Sequence, residues 1–213
     1  MILGIETSSK TCSVAVSFEG SVLGEISING QLTHSETLMP MVQNLLFTLN
    51  IDISEIKTIA LSSGPGSFTG LRIGASAALG LAFSQGIGIV HVPTLEALAY
   101  NLINIPKLVV PIMDARRGEV YTAAFKNGVR VTQDLNIPFE DLLIKINELG
   151  EEAIFLGDAA LLYEVNRPSE NLLFARASSL CLLAPKYEEA SCTNINYLRK
   201  PEAQRKYDEN NKK

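Results

Sequence analysis

The spacing of hydrophobic positions changes several times along this chain. Residues 1–6 (MILGIE) are almost continuously apolar, the pattern of a strand buried on both faces. "CSVAVSF" then alternates, Glu19 and Gly20 turn the chain, and "SVLGEISI" returns, so three antiparallel strands are predicted. The period lengthens next. Leu38, Val42, Leu45, Leu46 and Leu49 recur at helical spacing. Thr33 precedes Glu36 as in a capping box, with Ser35 and Thr37 as alternative caps. Pro40 belongs in the first turn or so, because deeper in it would kink the helix. A strand (58–62), a glycine-rich turn, a helix to about Gln85, a strand (88–92) and a short helix from about Thr94 follow. The order β-β-β-α-β-α-β-α predicts a mixed sheet covered by helices.

"NIPK" at 104–107 reads as a linker. Beyond it "LVVPIMD" and "EVYTAAF" are strands joined by "ARRG" in a hairpin. "PFEDLLIKINEL" is an amphipathic helix and "AIFLGD" a strand. "SSLCLLAPKYEEA" starts as a helix that Pro185 limits. This predicts a first lobe over 1–103, a smaller α/β lobe over 108–198 and a basic tail over 199–213. No repeat with a period of about 20–50 residues is present. Residues 73–95 carry no formal charge and are long enough to span a membrane. "SQGIG" at 84–88 breaks them into a buried helix and a strand.

Composition narrows the function. The 213 residues are 46% hydrophobic and 19% charged, a globular balance with length for one large or two small domains. A net charge of −5 speaks against a stand-alone nucleic-acid binder. The tail is about +3 and the body before it about −8, so the tail is either a solvated terminus or an RNA or partner contact. Cys12, Cys181 and Cys192 form no Cys-x-x-Cys pair, which predicts a reducing, cytoplasmic setting without disulfides. The first residues lack a basic region followed by a long apolar run, so no secretory signal is expected.

The glycine-rich stretch "SSGPGSFTGLRIGASAALG" invites a phosphate reading. A P-loop needs a lysine at the helix start, and none occurs between Lys57 and Lys107. The dinucleotide fingerprint fails too, because the third glycine is one residue late. The helix start could still meet an anion. Alternatively Gly66, Gly70 and Gly74, spaced by four and extended by Ala77, Ala78 and Leu81, form a small-residue face that lets a neighbouring helix approach. That face serves either internal packing or a subunit interface. Glu6, Thr7 and Ser8 end the first strand, where a carboxylate and hydroxyls could hold metal-bound water and phosphate. With Gly64 and Gly66 they are the candidates for a degenerate nucleotide site. His34 and His91 stand apart, and Leu38 occupies the position four after His34, so no zinc array forms. No Gly-x-Ser-x-Gly elbow is present. Asp114, Arg116, Arg117 and Glu119 share one hairpin: either a self-paired turn, or arginines set for a phosphate or a partner carboxylate.

The stretches "ILGIETSSKTCSVAV", "HSETLMPMVQNLL", "SSGPGSFTGLRIG", "VPTLEALA", "DARRGEVYTAAF", "FLGDAA" and "YLRKPEA" together resemble the bacterial TsaB (YeaZ) family, in order and over nearly the whole chain. The resemblance implies an actin-like (RNase H-like) α/β fold: a mixed sheet with helices, in two lobes of which the second is reduced. It implies a non-catalytic subunit that partners TsaD, the transferase making N6-threonylcarbamoyladenosine (t6A) at adenosine 37 of tRNAs reading codons that begin with A. The ATPase TsaE joins them, tRNA is met through the complex, and no membrane is involved. ATP, threonylcarbamoyl-AMP and a metal held by TsaD's His-x-x-x-His motif serve the complex, with no cofactor bound by this chain alone. Leu38 stands where the second histidine of that motif would be, and Glu6 replaces an aspartate frequent in the family's first strand. The family's TsaD interface, and its homodimer when alone, pack the first two helices into a four-helix bundle. On this sequence that points to Leu38, Met41, Val42, Leu45 and Leu46, and to Gly70, Leu71, Gly74 and Ala78. An independent actin-like kinase is the alternative; a metalloprotease lacks its second histidine.

Overall fold

The computed structural model describes residues 1–30 and 32–190. Cys192, the "YLRKPEA" stretch and the basic tail lie outside the described residues.

The apolar opening becomes β1 (Ile2–Glu6), covered on both faces as its composition demands. It pairs antiparallel with β2 (Thr11–Phe18), which pairs antiparallel with β3 (Ser21–Asn29). β4 (Thr58–Ser62) and β5 (Gly88–Val92) add parallel strands on the other side of β1. The helices α1 (His34–Leu49), α2 (Phe68–Gln85) and α3 (Thr94–Tyr100) fall where the periodicity predicts. α1 starts with Thr33 as its cap; the Thr33 N–H donates to Glu36 Oε2 at 3.1 Å. Pro40 differs from expectation. It is the seventh residue of the helix, on the exposed face. There the carbonyl that loses its helical partner can be satisfied by water.

The second lobe is built on β6 (Leu108–Asp114), β7 (Glu119–Thr122), β8 (Phe125–Lys126), β9 (Val129–Arg130), β10 (Leu135–Pro138), α4 (Phe139–Glu148) and β11 (Ala153–Leu156). Its strands run β10-β7-β6-β8-β9, with β11 parallel to β6. "EVYTAAF" is two strands rather than one. The Ala124 N–H donates to Thr132 Oγ1 at 2.8 Å, and the Ala124 carbonyl accepts from the Val131 N–H at 2.7 Å, so the chain leaves β7's ladder there.

The predicted division at 108–198 does not follow the packing. α5 (Ala177–Leu183) and β12 (Glu189–Ala190) return to the first lobe, where β12 extends its sheet to β12-β5-β4-β1-β2-β3. The reason is in α5's N-terminus. The Ala177 N–H donates to Ser13 Oγ at 3.1 Å and the Ser178 N–H to Glu25 Oε1 at 2.9 Å, so β2 and β3 cap the helix. Arg176 closes the joint on the other oxygen of Glu25.

The first sheet therefore has a core on each face. Leu3, Ile5, Ile59 and Leu61 pack against Leu38, Val42, Leu45 and Ala78 of α1 and α2. Ala60, Val90 and Val92 pack against α3 and α5 through Ala97, Leu180 and Leu183. α3 joins the lobes, because its Leu95 and Leu98 belong to the second lobe's core.

Candidate functional site

The glycine-rich turn and the Glu6–Ser8 turn meet, as the nucleotide reading requires, but they fill one another. Glu6, Thr7 and Ser8 have no exposure. Ser67 N–H donates to Ser8 O at 2.6 Å, and the ring of His34 donates from Nε2 to Ser9 O at 2.8 Å. Gly64 is braced from α3 by the Thr94 hydroxyl, which accepts from its N–H at 3.1 Å. A Cβ on Gly66 would overlap the Ser8 carbonyl, one on Gly70 the Thr7 carbonyl, and one on Gly74 the Thr7 hydroxyl. The small-residue face thus admits a turn of this chain, not a partner's helix. The Glu6–Ser8 turn thus packs directly on these glycines, where their side chains would otherwise stand.

The carboxyl in that turn is unusual. Glu6 Oε1 accepts from the Ser8 N–H at 2.6 Å, while Oε2 has no hydrogen-bond partner among the described residues. Burial pushes the Glu6 carboxyl up, opposed by the hydrogen bonds from Ser8. Thr7 Oγ1 and Thr11 Oγ1 are likewise buried without hydrogen-bond partners among the described residues. Among the described residues no three His, Cys, Asp or Glu side chains gather where they could hold a metal ion.

The nine positions picked out for a partner are all turned inward. Leu38, Met41, Val42, Leu45, Leu46, Leu71 and Ala78 are at most 8% exposed, and Gly70 and Gly74 are buried too. The cause is physical: helices apolar on both sides give the sheet one ridge and leave the other outside. The outer ridge carries Met39 and Phe47 on α1, and Phe68, Leu79 and Phe83 on α2. Phe47 is 85% exposed and Phe83 95%. The Arg72 guanidinium lies over the Phe68 ring, 3.9 Å from its centroid, on the same ridge. Sequence spacing at 68, 72, 76, 79 and 83 carried this signal. It could not be told from the buried ridge without knowing where the sheet lies.

A third cluster surrounds a hairpin of the second lobe. In the hairpin between β6 and β7, Arg116 (φ 68°) and Arg117 (φ 59°) both adopt the left-handed conformation, followed by Gly118 (φ 77°). Each non-glycine residue there costs about 1 kcal/mol or more. The hairpin is pinned at its base. Ala115 N–H donates to Glu119 O at 3.0 Å, Arg116 N–H to Asp114 Oδ1 at 2.7 Å and Asp114 N–H to Asp158 Oδ1 at 3.1 Å. Phe139, first residue of α4, donates its N–H to Gly118 O at 3.1 Å. Burial pushes the Asp158 carboxyl up, and Asp114 adds to this. The Asp114 N–H and the charge of Lys10, from the first lobe, oppose it. Sequence reasoning found the hairpin but not Lys10 or Asp158, which tertiary folding brings to it.

Two lobes, a mixed sheet between helix layers and α3 shared by both lobes define an α/β protein of the actin-like class. The solved glucomannokinase of an Arthrobacter strain shares this fold at a TM-score of 0.51 and 10% identity, covering 87% of this chain and 98% of that one. The family model for TsaD, tRNA N6-adenosine threonylcarbamoyltransferase, matches residues 21–203. The tRNA threonylcarbamoyladenosine biosynthesis protein TsaB of Bacillus subtilis is 34% identical over 99% of both chains. YeaZ from Pseudomonas aeruginosa superimposes at a TM-score of 0.76 with 26% identity, covering 92% of this chain and 99% of that one. This chain belongs to the TsaB (YeaZ) family.

Proposed function

We propose that this chain is the non-catalytic partner of a TsaD-type threonylcarbamoyltransferase, required for t6A modification of tRNA. The observation that carries the reading is the outer ridge of α1 and α2, where Phe47 and Phe83 stand in solvent at 85% and 95% exposure. Large apolar residues exposed on two neighbouring helices suit an interaction surface. The ridge is the part of these helices left over once the sheet is covered, so it suits two helices of a related subunit packing as a bundle. The names of the relatives support the pathway. A second copy of this chain covers the same ridge when TsaD is absent.

The catalytic alternatives have less support. A kinase would need the Glu6–Ser8 turn opened from the glycines that hold it. A zinc protease would need His34, whose Nε2 is engaged by Ser9 O.

The test is copurification with TsaD, together with restoration of tRNA modification in a cell depleted of its own TsaB. Both are expected. Failure of both rejects the proposal.

A further inference from the structure

We propose that Arg116 and Arg117, together with Lys10 of the first lobe, form a cationic tip that grips the phosphodiester backbone of the tRNA. This rests on the reading above, that the chain is a subunit of a tRNA-modifying complex. Three observations carry it.

The first is where the arginines stand. Consecutive left-handed positions at a hairpin favour Asn or Gly, and here both hold arginine. Strained positions of this kind persist where the surroundings over-determine them and tend to mark functional sites. The surroundings do so here, through Asp114, Asp158, Glu119 and the first N–H of α4.

The second is how charge is sorted. The carboxylates lie at the base: Asp114 on the Arg116 N–H, Asp158 on the Asp114 N–H, and Glu119 accepting from Asn136 Nδ2. The cationic side chains are the exposed ones, with Arg116 Nε 3.9 Å from Asp114 Oδ2. The Arg116 side chain is 83% exposed, against 30% for Asp114. Arg117 and Lys10 are exposed too.

The third is convergence. Lys10 comes from the first lobe, yet its charge acts on Asp158 of the second. Exposed Lys10 of the first lobe and exposed Arg116 and Arg117 of the second thus border the same Asp114–Asp158 base, in a chain of net charge −5. A single partner carboxylate would reach one of these exposed cations, whereas a run of phosphates spans several at once. A guanidinium fork also matches phosphate oxygens in two hydrogen bonds. In an otherwise acidic body, such a tip sets the register of an RNA without binding it tightly on its own.

The test uses an Arg116→Asn/Arg117→Asn double variant. Asn tolerates the left-handed conformation, so the hairpin keeps its shape and the thermal midpoint is expected to hold or rise. Binding of unmodified tRNA is measured with the isolated chain at low salt and with the TsaD–TsaE complex across salt concentrations. We expect tRNA retention by the isolated chain to be lost. In the complex, affinity should fall about tenfold or more, and the slope of log K against log salt should shrink by roughly 1.5, as for two lost phosphate contacts. Lys10→Gln should remove a further part of the slope, roughly 0.8. Unchanged retention and slope in both arms overturn the proposal. So does a variant that binds tRNA normally but loses TsaD, which would place a protein carboxylate on the arginines. Failure of the unaltered chain to assemble with TsaD rejects the functional reading instead, and the isolated-chain arm still decides the arginines.

Discussion

Glu6 is the residue at which fold and chemistry pull hardest against each other. A carboxyl without exposure, with one oxygen unpartnered among the described residues, is a cost the fold carries. Its folded pKa is raised above the unfolded value, so the folded chain holds a proton that the unfolded chain has already released. Stability therefore falls as pH rises from the unfolded pKa through the folded one. Glu6→Gln should be more stable than the unaltered chain at pH 7, with the gap closing as pH falls through the raised folded pKa toward about 4.5. Urea midpoints at the two pH values check this, and a gap that widens on acidification refutes it. The glycines of α2 separate in the same way. Gly70→Ala forces a Cβ into the Thr7 carbonyl and should cost about 2 kcal/mol, a drop of roughly 4–8 °C in thermal midpoint. Gly80→Ala meets nothing within 4 Å on an exposed helical face, and should add about 0.5–1 kcal/mol. Calorimetry of the pair separates a packing glycine from an idle one. Only the spacing of these glycines was legible in the sequence. That a turn rather than a helix fills the space follows from the parallel pairing of β1 and β4, which sets Thr7 under α2.

At the level of elements, those with local signals were readable. β1 to β5 and α1 to α3 announce themselves by period, caps and turn residues, and they form where expected. The break between β7 and β8 was not readable, because it depends on Thr132 reaching back to Ala124. Nor was the destination of α5. Its apolar pattern gives a helix, but its caps, Ser13 and Glu25, lie 164 and 153 residues away. Glu25 is the joint of that arrangement, receiving Ser13, Ser178 and Arg176 together. Glu25→Ala should cost about 2 kcal/mol, combining a lost cap with a broken, half-exposed ion pair. The lowered midpoint should come with earlier proteolytic cutting near residue 176. A variant cut no faster than the parent would mean α5 docks without this joint.

For the whole molecule, the outer ridge separates association from stability. Phe47→Asp and Phe83→Asp replace exposed side chains, so each should change stability by less than about 0.5 kcal/mol. Each should sharply weaken association with TsaD and with a second copy, read by size-exclusion chromatography and pull-down. Unchanged association would move the interface elsewhere. The route of the chain has a further consequence, for synthesis. β1 to β5 are made first, but the face of their sheet bearing Ala15, Ala60 and Val90 is closed only when α5 arrives. At ordinary elongation speeds, the stretch from β5 to α5 takes the ribosome on the order of ten seconds. During that interval the nascent first half exposes an apolar sheet face, and it lacks the strand that will cover the edge of β5. A ribosome stalled before residue 177 should therefore display a chain that recruits chaperones and is readily degraded, and release of the remaining residues should end both.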